Sequence, residues 1–144
     1  MELFTNLSHE EQAQLLKFPA YISLLAANLD GELDAVEKNA AIELTHIRSY
    51  KSDEVLSGFY REVEKNFEET ITNIDAQLPQ DKDAREIEIM ENLGKIELIL
   101  SKLGYSYSKK MHESMRTFKN HVSNAHGNIL ERFVIPIPIK GITE

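Results

Sequence analysis

Residues 28–38 read NLDGELDAVEK, and this stretch joins two helical patterns. Gly31 lies near its centre, and glycine readily adopts the positive φ with which many helices end. Asp34 is followed three residues later by Glu37, which is the capping-box pattern that starts a helix. The stretch therefore predicts one helix that ends at Gly31 and another that begins after Asp34 and runs to about Ser49.

The residues that precede this stretch predict a helix with a break in it. SHEE at residues 8–11 fits a second capping box, and apolar residues then recur at spacings of three and four up to Leu29. Pro19 interrupts that pattern, and proline inside a helix costs about 3 kcal/mol. We therefore expect the chain to break at Phe18–Pro19 and to restart with Pro19 in the first turn of a new helix.

The residues that follow predict three more helices, over 52–78, 83–103 and 106–127. The first is expected to run without interruption to Leu78, before Pro79. The second is expected to be central, with its cap at Asp83 and with apolar side chains over most of its surface turned inward, including Ile87, Met90 and Leu98. Together with the segments before them, these helices predict an all-α fold of about five helices in an antiparallel bundle.

The last residues have a different character from the helical patterns. Ile135, Ile137 and Ile139 alternate with two prolines, which excludes a helix and a central strand. We expect residues 1–144 to form a single helical domain in which residues 128–144 are an extended apolar arm. The arm is too apolar for a solvated tail, so it should dock on its own bundle, on a second copy or on a protein partner.

Composition and charge exclude several classes of function. The chain has 144 residues, of which 42% are hydrophobic, and its formal charge is 16 − 24 = −8. This acidic balance disfavours nucleic-acid binding, and the lack of cysteine excludes disulfides and thiolate metal sites. The first residues show no signal-peptide pattern, and no apolar run approaches the roughly 20 residues of a membrane span. A cytoplasmic protein without a membrane span is expected.

Four carboxylates surround the glycine of the opening stretch, and they are the candidate metal ligands: Asp30, Glu32, Asp34 and Glu37. As an EF-hand loop the stretch would start at Ala26, where a ligating aspartate belongs, so a full EF-hand is not predicted. Helix ending and capping alone would explain Gly31, Asp34 and Glu37. They do not require Asp30 or Glu32.

Residues 24–44, LLAANLDGELDAVEKNAAIEL, resemble the TerB-like tellurite-resistance family. In that family a helix of small and apolar residues is followed by an Asp-Gly turn and then by a capped helix with a glutamate and a basic residue. Asp30-Gly31 and Glu37-Lys38 match these two features. The resemblance implies an all-α fold and an acidic metal site that uses these carboxylates. The family's second Asp-Gly turn has no counterpart here, where residues 79–83 read PQDKD.

The leading functional prediction is a non-enzymatic, TerB-like stress or metal-response protein. Its ligand is expected to be a hard divalent cation, with calcium as the first choice, because the candidate ligands are all oxygens. Asp30 and Glu37 are expected to be the main ligands, with Glu32 and Asp34 in support. The alternative is a metal-free helical interaction module that binds its partner through the apolar arm.

A third interpretation is a di-iron enzyme. ELTH at residues 43–46 places Glu43 and His46 at the E-x-x-H spacing of ferritin-like bundles. Such a site needs a second E-x-x-H motif, and none of the other four histidines follows a glutamate by three residues. No other arrangement in the chain indicates a catalytic residue or a cofactor.

Overall fold

The computed structural model describes residues 4–30 and 33–125, apart from the side chains of residues 29 and 30. Within these ranges the regular structure is entirely helical, which confirms the predicted all-α class. A short 3-10 turn, Ser101–Leu103, lies between the last two α-helices. The seven α-helices are α1 (His9–Leu16), α2 (Phe18–Asp30), α3 (Ala35–Tyr50), α4 (Glu54–Glu64), α5 (Phe67–Gln77), α6 (Lys82–Leu100) and α7 (Tyr105–Ser123).

The predicted break at Pro19 is confirmed. Helix α1 ends at Leu16, and α2 begins at Phe18, so Pro19 lies in the first turn of α2. Proline suits this position because the first turn of a helix does not use its N–H groups. The carbonyl of Pro19 also accepts a hydrogen bond of 2.7 Å from the hydroxyl of Ser23.

The single helix predicted over residues 52–78 is wrong, because the chain divides there into α4 and α5. Asn66 has φ −136 and ψ 19, which is not a helical conformation, and its amide donates to the carbonyl of Val63 over 3.4 Å. Phe67 follows directly after the break and is the first residue of α5. It is 2% exposed and packs edge-on against Phe118, with ring centroids 6.4 Å apart. This extra break, together with the one at Pro19, gives seven α-helices in the described ranges, where about five helices were expected.

Two details of α6 also differ from the prediction. Its cap is Asp81, whose side chain accepts from the amide of Ala84 at 2.9 Å, so the helix begins before the expected Asp83. The expectation that α6 is covered on most sides is wrong as well. Ile87, Met90 and Leu98 are 61%, 52% and 71% exposed. Only one face of α6 enters the core, and the opposite face carries apolar side chains into solvent.

The core lies around α2, which contacts α3, α5, α6 and α7. Burying one large apolar side chain contributes about 1.5–3 kcal/mol, so the combined burial is the main stabilising term. The fully buried large side chains include Phe4, Leu15, Leu24, Phe59, Tyr60, Ile71, Ile89, Ile96, Met111 and Phe118.

Among the described helices, none has the length and apolar character needed to cross a membrane.

Candidate functional site

The acidic turn joins α2, which ends at Asp30, to α3, which begins at Ala35. Asp34 is the N-cap of α3, and its Oδ1 accepts from the amide of Glu37 at 2.9 Å. Oε1 of Glu37 accepts in return from the amide of Asp34 at 3.3 Å. The predicted capping box is therefore confirmed, and it holds two of the four candidate ligands next to each other.

The carboxylate of Glu37 is in an unusual environment for an acidic side chain. Glu37 is 3% exposed, whereas Asp34 is exposed. Burying a carboxylate costs free energy unless hydrogen bonds or opposite charges compensate it. The amide of Asp34 supplies one such bond, and the first turn of α3 adds the positive end of the helix dipole. The start of α3 is thus built to keep a buried carboxylate in a fixed orientation.

The other two candidate ligands lie outside what the structure describes. The backbone of Asp30 ends α2, but its side chain is not among the described ones, and Glu32 falls in the undescribed residues 31–32. No three His, Asp or Glu side chains of residues 4–30 and 33–125 come together as a metal site. A metal site at this turn therefore depends on Asp30 and Glu32 joining Asp34 and Glu37.

The residues of the E-x-x-H motif have other neighbours. His46 is largely exposed, its Nδ1 lies 2.6 Å from Oε1 of Glu64, and its ring packs edge-on against Tyr50. Glu43 acts electrostatically on the half-buried His121, whose pKa is lowered mainly by burial and then by Arg48. The part of the chain that the structure describes brings no further di-iron ligands to Glu43 and His46.

A polar cluster that sequence reasoning missed centres on Arg48 of α3. Its Nη1 donates to the hydroxyl of Tyr60 at 2.9 Å and to the carbonyl and hydroxyl of Ser114, both at 2.8 Å. Its Nη2 donates to Oγ1 of Thr117 at 2.6 Å. The guanidinium carbon lies 5.5 Å from the centre of the Tyr60 ring and 5.4 Å from that of Phe118. One arginine therefore ties α3 to both α4 and α7.

The signal that could have revealed this cluster is the inner face of α3. The buried residues of this helix are Glu37, Ala41, Thr45 and Ser49, of which only Ala41 is apolar. Arg48 borders this largely polar face, where an arginine finds hydroxyl and carbonyl acceptors. A helix whose buried side is polar indicates a hydrogen-bonded interior, although the acceptors themselves are more than ten residues away in sequence.

Comparisons of the chain with protein-family models, with curated proteins and with solved structures find no match. The resemblance of residues 24–44 to the TerB-like family stays a prediction from the sequence.

Proposed function

We propose that this chain is a non-enzymatic, TerB-like stress or metal-response protein that binds a divalent cation at the acidic turn between α2 and α3. The main support for the proposal is the capping box, whose two hydrogen bonds hold the carboxylates of Asp34 and Glu37 at the start of α3. Carboxylate oxygens of this kind are ligands that hard divalent cations accept. Asp30 and Glu32 stand directly before this fixed pair in the sequence.

Calcium is the proposed ligand because of the chemistry and the number of these donors. Calcium takes six to eight oxygen ligands in flexible geometry and accepts bidentate carboxylates, while magnesium demands a near-ideal octahedron. Asp30 and Glu37 would be the main ligands, and Glu32 and Asp34 would support them. Four carboxylates so close in sequence repel one another, and a bound cation would remove that repulsion.

The proposal includes a cytoplasmic protein with one helical domain and an antiparallel arrangement of its helices. Two contacts support opposite directions for α3 and α4, because His46 pairs with Glu64 while Arg48 bonds to Tyr60. The extended arm of residues 128–144 belongs to the same proposal and lies outside the described residues.

Calcium should raise the melting temperature of the protein, and Asp30→Ala should abolish the rise. Binding to the native state alone stabilises it by about 2.7 kcal/mol at a ligand concentration of about 100 times Kd. The shift can be measured by differential scanning calorimetry with increasing calcium. Asp83→Ala is a matched control, since it removes one exposed carboxylate near the start of α6 and should leave the calcium shift unchanged. A melting temperature that does not respond to millimolar calcium, magnesium or manganese would contradict the proposal.

The second candidate function is a metal-free interaction module that binds its partner through the apolar arm, and we propose that this arm docks on the exposed face of α6 when no partner is bound. Ile87, Met90 and Leu98 follow one another at spacings of three and eight residues, and Gly94 continues the same row between the last two. A side-chain Cβ built on Gly94 meets no atom within 4 Å, so the row is open to an approaching chain at that point. We call these four residues the α6 stripe.

The proposed occupant of the α6 stripe is the chain's own arm, through residues 133–139. The side chain of Asn28 donates to the carbonyl of Lys82 at 3.2 Å, so the end of α2 meets the start of α6. The hydroxyl of Ser108 bonds to the carbonyl of Leu100, and His112 of the next turn bonds to Glu97, so α7 runs back along α6 towards its start. The last described residue, Ala125, is thus near the end of the molecule where α6 begins.

The arm is long enough to reach every part of the stripe from Ala125. Residues 126–139 can span up to about 46 Å at about 3.3 Å per extended residue, whereas the 19 residues of α6 extend over about 28 Å. Isoleucines at every second position of an extended chain recur every ~6.6 Å, which is close to the ~5.4 Å rise of one helical turn. The side chains of the arm can therefore follow the α6 stripe turn by turn.

Deleting residues 133–144 should lower the free energy of unfolding by about 2 kcal/mol, since burial of a single isoleucine contributes about 1.5–3 kcal/mol before the cost of ordering the arm. Urea denaturation measures the loss. Leu98→Asp should be destabilising in the full chain and nearly neutral in the deleted chain. Val55→Asp, at a partly exposed residue on α4, is the control and should have the same effect in both.

Unchanged stability in a protein that stays monomeric would show that the arm does not dock. If the deletion instead abolishes a concentration-dependent dimer, the arm docks on a second copy of the chain.

A further inference from the structure

An open pocket of about 290 Å³ lies where the end of α3 and the start of α4 meet α7. We call it the Arg48 pocket, because Arg48 lines it together with Lys51, Ser52 and Lys110. Its lining carries three cations and two carboxylates, Asp53 and Glu113, so its formal charge is 3 − 2 = +1. The pocket is locally positive in a chain whose formal charge is −8.

Arg48 keeps hydrogen-bonding capacity on the side of the guanidinium that suits a bidentate acceptor. A guanidinium has five N–H donors, and the bonds to Tyr60, Ser114 and Thr117 use the two on Nη1 and one on Nη2. The Nε–H and the second Nη2–H have no acceptor among the described residues. No described carboxylate forms an ion pair with Arg48 either, so its charge is held by neutral oxygens and by two aromatic rings.

Two further groups beside Arg48 also lack a partner within the described ranges. Lys51, just after the end of α3, is exposed and makes no ion pair with a described residue. The Oγ of Ser52 is buried and has no hydrogen-bond partner. A buried hydroxyl without a hydrogen bond costs free energy. Rotation about the single side-chain torsion of Ser52 would point its hydroxyl in another direction.

The remaining charges of the pocket are arranged differently. Lys110 lies 3.0 Å from Oδ2 of Asp53, and Oδ1 of Asp53 accepts from the amide of Val55 at the start of α4. The Val55 amide, and then Lys110, lower the pKa of Asp53, so this carboxylate stays ionised at neutral pH. Asp53 thereby neutralises Lys110. Glu113 offsets one of the charges of Arg48 and Lys51, so one net positive charge is left for a ligand.

We propose that the Arg48 pocket binds a phosphate-class oxyanion, either free phosphate or the phosphate group of a small metabolite. The Nε–H and Nη2–H of Arg48 donate two parallel bonds to it, as arginine commonly does to phosphate. Lys51 contributes a mobile ammonium and Ser52 a hydroxyl donor. A volume of about 290 Å³ is at the lower limit of small-molecule pockets, which suits a ligand of this size. This inference does not depend on cation binding at the acidic turn.

Calorimetric titration of the full chain with inorganic phosphate, at ionic strength held constant with chloride, tests the site. We expect one phosphate per chain. Binding should weaken by about threefold to fivefold in Lys51→Ala, as for a partly exposed charge pair, and by about fivefold in Ser52→Ala. Lys95→Ala removes the same charge from an exposed position on α6 and should bind phosphate as the unmodified chain does. Equal losses in Lys95→Ala and Lys51→Ala, or no saturable binding, would overturn the proposal.

Arg48→Lys keeps the positive charge at this position but removes the paired N–H donors of the guanidinium. It should weaken phosphate binding by about tenfold or more, because an ammonium cannot make the bidentate contact. Circular dichroism at the titration temperature verifies that the variant is folded, and unchanged affinity in a folded variant would overturn the proposed contact. Glycerol 3-phosphate then distinguishes the two sources of the group. Tighter binding than that of inorganic phosphate supports a phosphorylated metabolite, and weaker binding supports the free ion.

Discussion

Phe118→Ala is expected to lower the free energy of unfolding by about 3–5 kcal/mol, the usual cost of truncating a fully buried phenylalanine. Phe118 is 0% exposed, and its ring packs edge-on against Phe67 of α5 while the guanidinium of Arg48 lies over it. The substitution removes contacts that join α7 to α3 and α5, and it leaves a cavity in the core. Urea denaturation followed by circular dichroism measures the loss.

Tyr105→Ala is the matched control for Phe118→Ala. Tyr105 is also an aromatic residue of α7, but it is 82% exposed, and its truncation should change stability by no more than about 0.5 kcal/mol. A loss of less than about 1 kcal/mol in Phe118→Ala would contradict the described packing of α7.

Arg48→Met is expected to have the second-largest effect, a loss of about 2–3 kcal/mol. Hydrogen bonds to a charged group contribute about 1.5–3 kcal/mol, and the stacking on Tyr60 and Phe118 adds about 0.5–1 kcal/mol or more. Methionine keeps the apolar stem but removes every donor, so Ser114 and Thr117 lose bonds to α3. The loss is smaller than for Phe118 because Arg48 is only partly buried and water can replace some donors.

Arg116→Met is the matched control for this second prediction, since Arg116 is exposed on α7. Its effect should stay within about 0.5 kcal/mol. If denaturation gave the same stability for Arg48→Met and Arg116→Met, the polar cluster would not contribute to the fold.

Local signals were sufficient to predict the helix boundaries that depend on neighbours in sequence. The capping boxes at Ser8 and Asp34 and the break at Pro19 each involve residues within three or four positions, and the structure contains all three. The break between α4 and α5 escaped prediction because Val63 and Phe67 are both buried at a helical spacing of four. Periodicity continues across that break although the helix does not.

Features that depend on contacts between distant residues could not be predicted. Arg48 bonds to Ser114, 66 residues away, and no pattern within α3 identifies that partner. The outer face of α6 is also apolar in sequence, so the apolar pattern predicted that Leu98 faces inward, whereas only packing decides which face is covered. Of the four candidate metal ligands, the structure describes the side chains of Asp34 and Glu37. The side chains of Asp30 and Glu32 lie outside the described part of the chain.

A calorimetric titration with calcium tests cation binding at the acidic turn, using protein purified without chelator and first analysed for bound metal. The proposal predicts saturable binding of one calcium ion per chain. Binding should be lost in Asp30→Ala and weakened at least tenfold in Glu37→Gln, which keeps the cap oxygen but removes the charge. Protein that carries no metal and shows no binding heat with millimolar calcium, magnesium or manganese would contradict cation binding at the acidic turn.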